Sequence, residues 1–315
     1  MPAVLFALPC APDEPRGNVT TAMRLGRGLT KLGWSAARCD ARTNPADWPT
    51  ADVVVALHAV NAAPLVTHPR LVVLFTGTDL SGNPPAPAHA AVARALACVA
   101  LGEAAAAQAR LLYPECAGKL SIIRQAVEPL PESKWPAGIP HPEAATDLLF
   151  QPTGLRPVKD PWRAVTALAP LAERRPWLRL WIAGPRFADE PIPALPPWVR
   201  WLGPVPREHL RPLIESAQLV ISASRAEGGP PNALLEAAEC GRPILASDIP
   251  AHREFPGPEC LFTDDADFRA KVEALLEDLP GATRLGKILR ARVLSDFALA
   301  PEAAAWDASL RRALG

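Results

Sequence analysis

The chemistry this sequence can offer rests on two carboxylates, two cations and a run of small residues. Glu227 and Glu236 bracket Gly228, Gly229, Pro230 and Pro231 and the start of a helix near Asn232. Gly241 and Pro243 stand where a helix-ending glycine and a downstream breaker belong. An apolar strand at 219–221 precedes the loop, so this is a strand-to-helix turn. There unpaired N–H groups and the positive end of the helix make an anion site. Carboxylates do not suit a bare phosphate; they suit hydroxyls attached to one. Arg156 and Lys159 follow Gly154 at another strand end, just before a helix. Arginine grips oxygens bidentately and lysine supplies a compact charge. Two cations alone describe any solvated surface. Joined in one sheet to the Glu227–Glu236 loop, they read as a site for a nucleoside diphosphate bearing a sugar.

Apolar strands separated by helical segments must position these residues. Strands are expected at 3–8, 52–57, 71–75, 98–101 and 121–123. After a proline-rich stretch at 129–146 they resume at 148–151, 178–183, 199–202, 219–221 and from Ile244. Helices are expected at 88–97, 104–112, 161–174, 207–217, 264–279 and 297–314. A further helix follows the loop 9–17, with Asn18 or Thr20 as its cap and Ala22, Leu25, Leu29 and Leu32 on its buried stripe. The alternation predicts an α/β protein with parallel sheets covered on both faces and ligands at the strand C-terminal ends. The domains are expected at 1–132 and 147–295, with a linker at 133–146 and a final helix at 296–315.

At 315 residues, two domains are the better expectation. Acidic and basic residues are equal at 33 each, which excludes a global field for nucleic acid. The six cysteines form no C-x-x-C pair and are expected to be free thiols. No apolar run reaches the roughly 18 residues of a membrane span. The apolar start lacks a basic segment and reads as a strand, so a cytoplasmic protein is expected. The Asp265-Ala266-Asp267 triplet reads as a solvated helix start, and no metal or cofactor is assigned.

In the first half, Gly17 closes a strand-to-helix loop, where it serves either backbone approach to a ligand or a tight turn. His58, Thr78 and Asp79 lie at neighbouring strand ends and are the candidates for sugar or acceptor contact. Gly26 and Gly28 fall inside a helical pattern and carry no dinucleotide fingerprint.

The motifs together resemble those of GT-B-fold retaining glycosyltransferases, the large group that includes sucrose-phosphate synthase and bacterial mannosyltransferases. The resemblance runs over about residues 150–255. It is carried by Gly154 to Lys159, Ile182-Ala183-Gly184-Pro185, Trp201 to Pro206, Ser224 to Gly228, Leu234-Leu235-Glu236-Ala237, Cys240 to Pro243 and Ser247 to Glu254. Gly17 to Ala22, Ala56 to Ala59 and Thr76 to Leu80 resemble a narrower set, the bacterial selenosugar synthases and the glycosyltransferase 1 domain-containing proteins.

The resemblance implies two Rossmann-like domains facing each other across a cleft, with the final helix crossing back to the first. It implies hexosyl transfer, with retention and without metal, from a nucleotide-diphosphate sugar, UDP-linked by expectation, to a small-molecule or glycan acceptor. Arg156 and Lys159 would neutralise the diphosphate, Glu227 would contact the sugar and Glu236 the ribose. Gly17, Gly154, Gly184, Pro185, Gly228, Gly229 and the amides of Asn232 to Leu235 would line the donor. The eight residues from Gly228 to Leu235 are one more than the family's usual spacing. Three other readings compete: a selenosugar or thiosugar synthase using selenophosphate, a non-catalytic nucleotide-sugar binder, and an epimerase of the same fold.

Overall fold

The structure, a computed structural model, describes residues 1–143, 145–187 and 191–315. Ala144, in the expected linker, and residues 188–190, in the second half, lie outside the described residues. The chain forms two compact units. The first contains Met1–Glu128, Glu227–Pro230 and Phe297–Gly315; the second contains Pro129–Ala226 and Pro231–Asp296.

The first unit is built on β1 (Ala3–Leu8), β2 (Ser35–Asp40), β3 (Val53–Leu57), β4 (Leu71–Leu74), β5 (Ala97–Ala100) and β6 (Leu120–Ile122). They pair in parallel in the order β2-β1-β3-β4-β5-β6. The connecting helices include α1 (Gly17–Lys31), α2 (Ala86–Arg94) and α3 (Glu103–Leu112). Successive strand residues point to opposite faces, and both faces are apolar. Val4, Phe6, Leu8, Val53, Val55 and Leu57 enter one core, while Leu5, Ala7, Val54 and Ala56 enter another. Unbroken apolar runs such as 53–57 therefore mark a sheet covered on both sides.

Two expectations change here. Residues 35–40 form a strand that the sequence did not announce, because only Cys39 in it is buried. An edge strand needs no continuous apolar run. Helix α1 begins at Gly17 with Arg16 as its cap residue, which places Asn18 and Thr20 inside the first turn rather than at the cap.

The second unit repeats the plan with β7 (Asp147–Pro152), β8 (Leu178–Ala183), β9 (Val199–Gly203), β10 (Leu219–Ser222), β11 (Ile244–Ser247) and β12 (Leu261–Phe262). The order is β12-β11-β10-β7-β8-β9, again parallel. Its helices are α4 (Arg163–Arg174), α5 (Leu210–Ser216), α6 (Asn232–Glu239), α7 (Pro250–Glu254), α8 (Asp265–Glu277) and α9 (Leu279–Asp296). Helix α9 was not expected, since Pro280, Gly281 and Gly286 resemble loop punctuation. Pro280 sits in the first turn, where its missing N–H costs little. Gly286 is needed for packing, because a Cβ there would lie 2.1 Å from the Gly241 carbonyl oxygen.

All six cysteines are free thiols. Burial pushes the Cys10 thiol up to about 11, and those of Cys39, Cys98, Cys240 and Cys260 up to about 12. They are inert at neutral pH. Among the described residues, no helix is long and apolar enough to cross a membrane.

The last helix, α10 (Leu299–Leu314), belongs to the first unit and packs on α1. Arg24 and Glu302 form a two-bond ion pair there, both bonds 2.9 Å, with side chains only 2% and 3% exposed. Trp34 Nε1 donates to Asp307 at 2.7 Å beside it. Removing one member of a buried pair leaves the other charge in a medium that cannot solvate it. Glu302→Ala should therefore cost about 3–5 kcal/mol, read as a lower denaturation midpoint. The double change Arg24→Met with Glu302→Leu should recover most of that loss. A Glu302→Ala midpoint equal to wild type would show the pair to be dispensable.

Candidate functional site

The strand order of the second sheet reverses between β7 and β10, the point at which doubly wound sheets bind ligands. The loops that follow these two strands carry Gly154 to Lys159 and Ser224 to Pro231. Pairing between β7 and β8 continues past the end of the sheet. Thr153 N–H donates to the Ala183 carbonyl at 2.8 Å and Leu155 N–H to the Pro185 carbonyl at 2.9 Å, and Leu155 bridges Arg186. Two glycines permit this. A Cβ on Gly184 would lie 2.0 Å from the Thr153 carbonyl oxygen, and one on Gly154 would lie 2.5 Å from the Phe187 ring. Gly184 is also fixed from its other side by β9, through its N–H on the Gly203 carbonyl (2.9 Å) and Trp201 Nε1 on its own carbonyl (3.1 Å).

Arg156 emerges from this frame with its guanidinium 5.1 Å from the centre of the Phe187 ring, a cation–π contact that orients it. A short 3-10 turn, Pro157–Lys159, follows and ends at Asp160 in the left-handed region, φ 43°. The loops after β7 and β10 are tied directly. Arg225 N–H donates to the Val158 carbonyl at 2.8 Å, and Arg225 Nε donates to Asp160 Oδ2 at 2.9 Å. Beneath them, Ser247 Oγ donates to the Ser224 carbonyl and His252 Nδ1 to the Ser247 carbonyl. The sequence reading gave no role to Phe187, Arg225 or Asp160. Their roles depend on pairings between loops that spacing does not reveal.

At the start of α6, the Pro231 carbonyl accepts from Leu234 N–H (3.0 Å) and Leu235 N–H (3.1 Å). The Leu234 and Leu235 amides are thus engaged at the helix start, and Asn232 and Ala233 open its first turn. Glu236 is buried on this helix and accepts from Arg207 Nε at 2.8 Å. Asp264 caps α8 through the amides of Ala266 and Asp267, and Asp267 pairs with Lys271 at 2.9 Å.

Glu227 to Pro230 are part of the first unit. Gly228 lies against backbone: a Cβ on it would be 2.4 Å from Gly77 N. A Cβ on Gly229 would be 2.8 Å from Leu101 Cβ, and Gln125 Nε2 donates to the Pro230 carbonyl at 2.9 Å.

Elsewhere in the first unit, His58 follows β3 where that sheet's order reverses, and the Gly17 turn follows the neighbouring β1. His58 is buried with φ 116°, a conformation that costs a non-glycine residue about 1–3 kcal/mol. Its Nδ1 accepts from Val60 N–H (3.2 Å) and Asn61 N–H (3.0 Å), so the proton belongs on Nε2 and is donated to Thr78 Oγ1 at 2.9 Å. The fully buried Asp79 carboxylate accepts from the amides of Ala59 (2.8 Å), Gly77 (2.7 Å) and Thr76 (3.1 Å). It therefore fixes the loop that carries Thr78.

Comparison with known proteins places these two sheets. Residues 153–278 match the family model described as "Glycosyl transferases group 1". The whole chain has the GT-B fold. It superposes on sucrose-phosphate synthase from Thermosynechococcus elongatus with a TM-score of 0.80 at 15% identity, over 99% of this chain and 98% of that one. A glycosyltransferase from Rickettsia africae gives a TM-score of 0.71 at 13% identity, covering 99% of each chain. Anabaena HepE in complex with UDP and glucose gives 0.71 at 14% identity, covering 99% of this chain and 100% of that one.

The double glycine frame makes a stability prediction. Gly184→Ala meets backbone and should cost at least about 2 kcal/mol. Gly203→Ala has open space but a φ of +75° and should cost about 1 kcal/mol. Chemical denaturation of the two variants orders them, and a Gly184→Ala variant as stable as wild type would contradict the frame.

Proposed function

We propose that this protein is a retaining, metal-independent glycosyltransferase that moves a hexosyl group from a nucleotide-diphosphate sugar, UDP-linked, to a small-molecule or glycan acceptor. The observation that carries this reading is the juxtaposition at the β7/β10 reversal. Arg156 and Lys159 stand on one loop, and the α6 N-terminus follows the other, tied to it by Arg225. The group 1 family match over the same residues supports the reaction class, and the UDP bound to HepE supports the nucleotide.

Cleaving the anomeric C–O bond places negative charge on the departing diphosphate and positive charge on the sugar. Arg156, Lys159 and the N-terminal end of α6 are assigned to the first charge, and the Phe187 contact that orients Arg156 limits the reorganisation needed as the bond breaks. Gly154, Gly184 and Pro185 are assigned to the lining of the donor site. Glu227 is assigned to the sugar hydroxyls and Glu236 to the ribose. The diphosphate charge is balanced by protein cations, and no metal or cofactor is given a role. His58 and Thr78 are assigned to sugar or acceptor contact, with Asp79 holding their loop and Gly17 opening the adjacent turn.

Incubation with UDP-glucose, UDP-N-acetylglucosamine and GDP-mannose should release nucleotide slowly from one of them, and a chain that binds without release would be a binder instead. Selenophosphate added as acceptor tests the narrower synthase reading in the same assay. Arg156→Ala and Lys159→Ala should each lower turnover by roughly 10²–10³. Activity within a few-fold of wild type in both would overturn the diphosphate assignment. Glu236→Ala should weaken UDP binding more than turnover at saturation, because ribose contacts are alike in the ground and transition states.

A further inference from the structure

We propose that Arg207 is a positioning residue that sets a preference for ribonucleoside over 2′-deoxyribonucleoside diphosphates, acting through Glu236. The inference rests on the donor-site reading above and adds to it the group that makes Glu236 able to read a ribose.

Arg207 opens the 3-10 turn Arg207–His209 that follows β9. Its Nε donates to Glu236 Oε1 at 2.8 Å, and the two side chains are 25% and 8% exposed. One helical turn later, Arg211 Nη2 donates to Glu239 Oε2 at 2.7 Å. Arginines four apart on the turn and α5 thus face glutamates three apart on α6, as two rungs of one ladder. The rungs differ in surroundings. Arg211 also holds the Leu130 carbonyl at 2.8 Å and Glu215 at 3.0 Å, so its rung fastens the incoming chain and α5 to α6. The Arg207 rung lies closer to the N-terminal end of α6, the end assigned to phosphate.

A carboxylate offers about four lone-pair positions, so an oxygen engaged by one guanidinium N–H still accepts further bonds. The arginine bond fixes the plane of the group. A vicinal diol needs that, because both hydroxyls must donate to oxygens held at set positions. Arg207 touches no substrate in this account. Its effect is on discrimination, and a merely structural role would not produce that.

The test uses the full chain and isothermal titration. UDP, GDP and ADP are ranked first, and the tightest binder is compared with its 2′-deoxy form. Wild type should favour the ribonucleotide by at least about tenfold, the value of one hydrogen bond to a charged group. Arg207→Ala should weaken the ribonucleotide and leave the deoxy form nearly unchanged, bringing the ratio within about threefold. Arg207→Lys, which keeps the cation but not the planar fork, should fall between and serves if the alanine variant does not fold. Equal weakening of both nucleotides, an unchanged ratio, or tighter ribonucleotide binding in Arg207→Ala would overturn the role of Arg207. Wild type binding both forms alike would overturn this inference while the donor site stands. Wild type binding none of the three diphosphates would overturn the donor-site reading and this inference with it.

Discussion

The second unit depends on one constraint: the backbones of β7 and β8 stay paired after the sheet has ended. Gly184 allows a backbone approach that any side chain would block, Gly154 leaves room for the Phe187 ring, and the main-chain bonds of Thr153 and Leu155 hold the pairing. The loop that leaves this pairing cannot wander. Phe187 orients Arg156, the left-handed turn at Asp160 points the chain into α4, and Arg225 clips the result to the neighbouring loop. Arg156 and Lys159, the proposed diphosphate contacts, stand on this frame. Preorganised charge of this kind is the main means by which a protein stabilises a leaving anion without covalent chemistry.

Much of the fold was legible because a parallel sheet covered on both faces demands apolar runs at 53–57, 71–74 or 178–183 whatever else the sequence does. The elements that escaped are those exempt from that demand. Strand β2 lies at an edge with one buried residue, and β12 has two residues in all. Helix α9 is interrupted by glycine and proline for reasons of packing and position, so composition misrepresents it. The cap of α1 was misplaced by two to four residues because Gly17 itself takes up helical conformation.

In the site, the charged residues were visible and their partners were not. Arg156 and Lys159 stand out by type and by position after a strand end, and Glu236 by its place on the helix that follows another. Glu236 meets Arg207 and Asp160 meets Arg225 only through the order of strands in the sheet, which spacing alone does not give. The i, i+4 spacing of Arg207 and Arg211 against the i, i+3 spacing of Glu236 and Glu239 was the available signal. His58 was noticed for its place at a strand end. Its strained backbone and fixed tautomer belong to the folded loop, and the Asp79 carboxylate proved to be engaged by backbone amides.

The central claim is that the second unit holds a nucleotide chiefly by its phosphates. The most direct measurement is isothermal titration of the intact chain with UDP and with uridine under identical salt. Two charge-assisted contacts from Arg156 and Lys159 predict that UDP binds at least about 100-fold more tightly than uridine. Comparable affinities for the two would contradict the account, because the cations and the α6 N-terminus would then have nothing to hold.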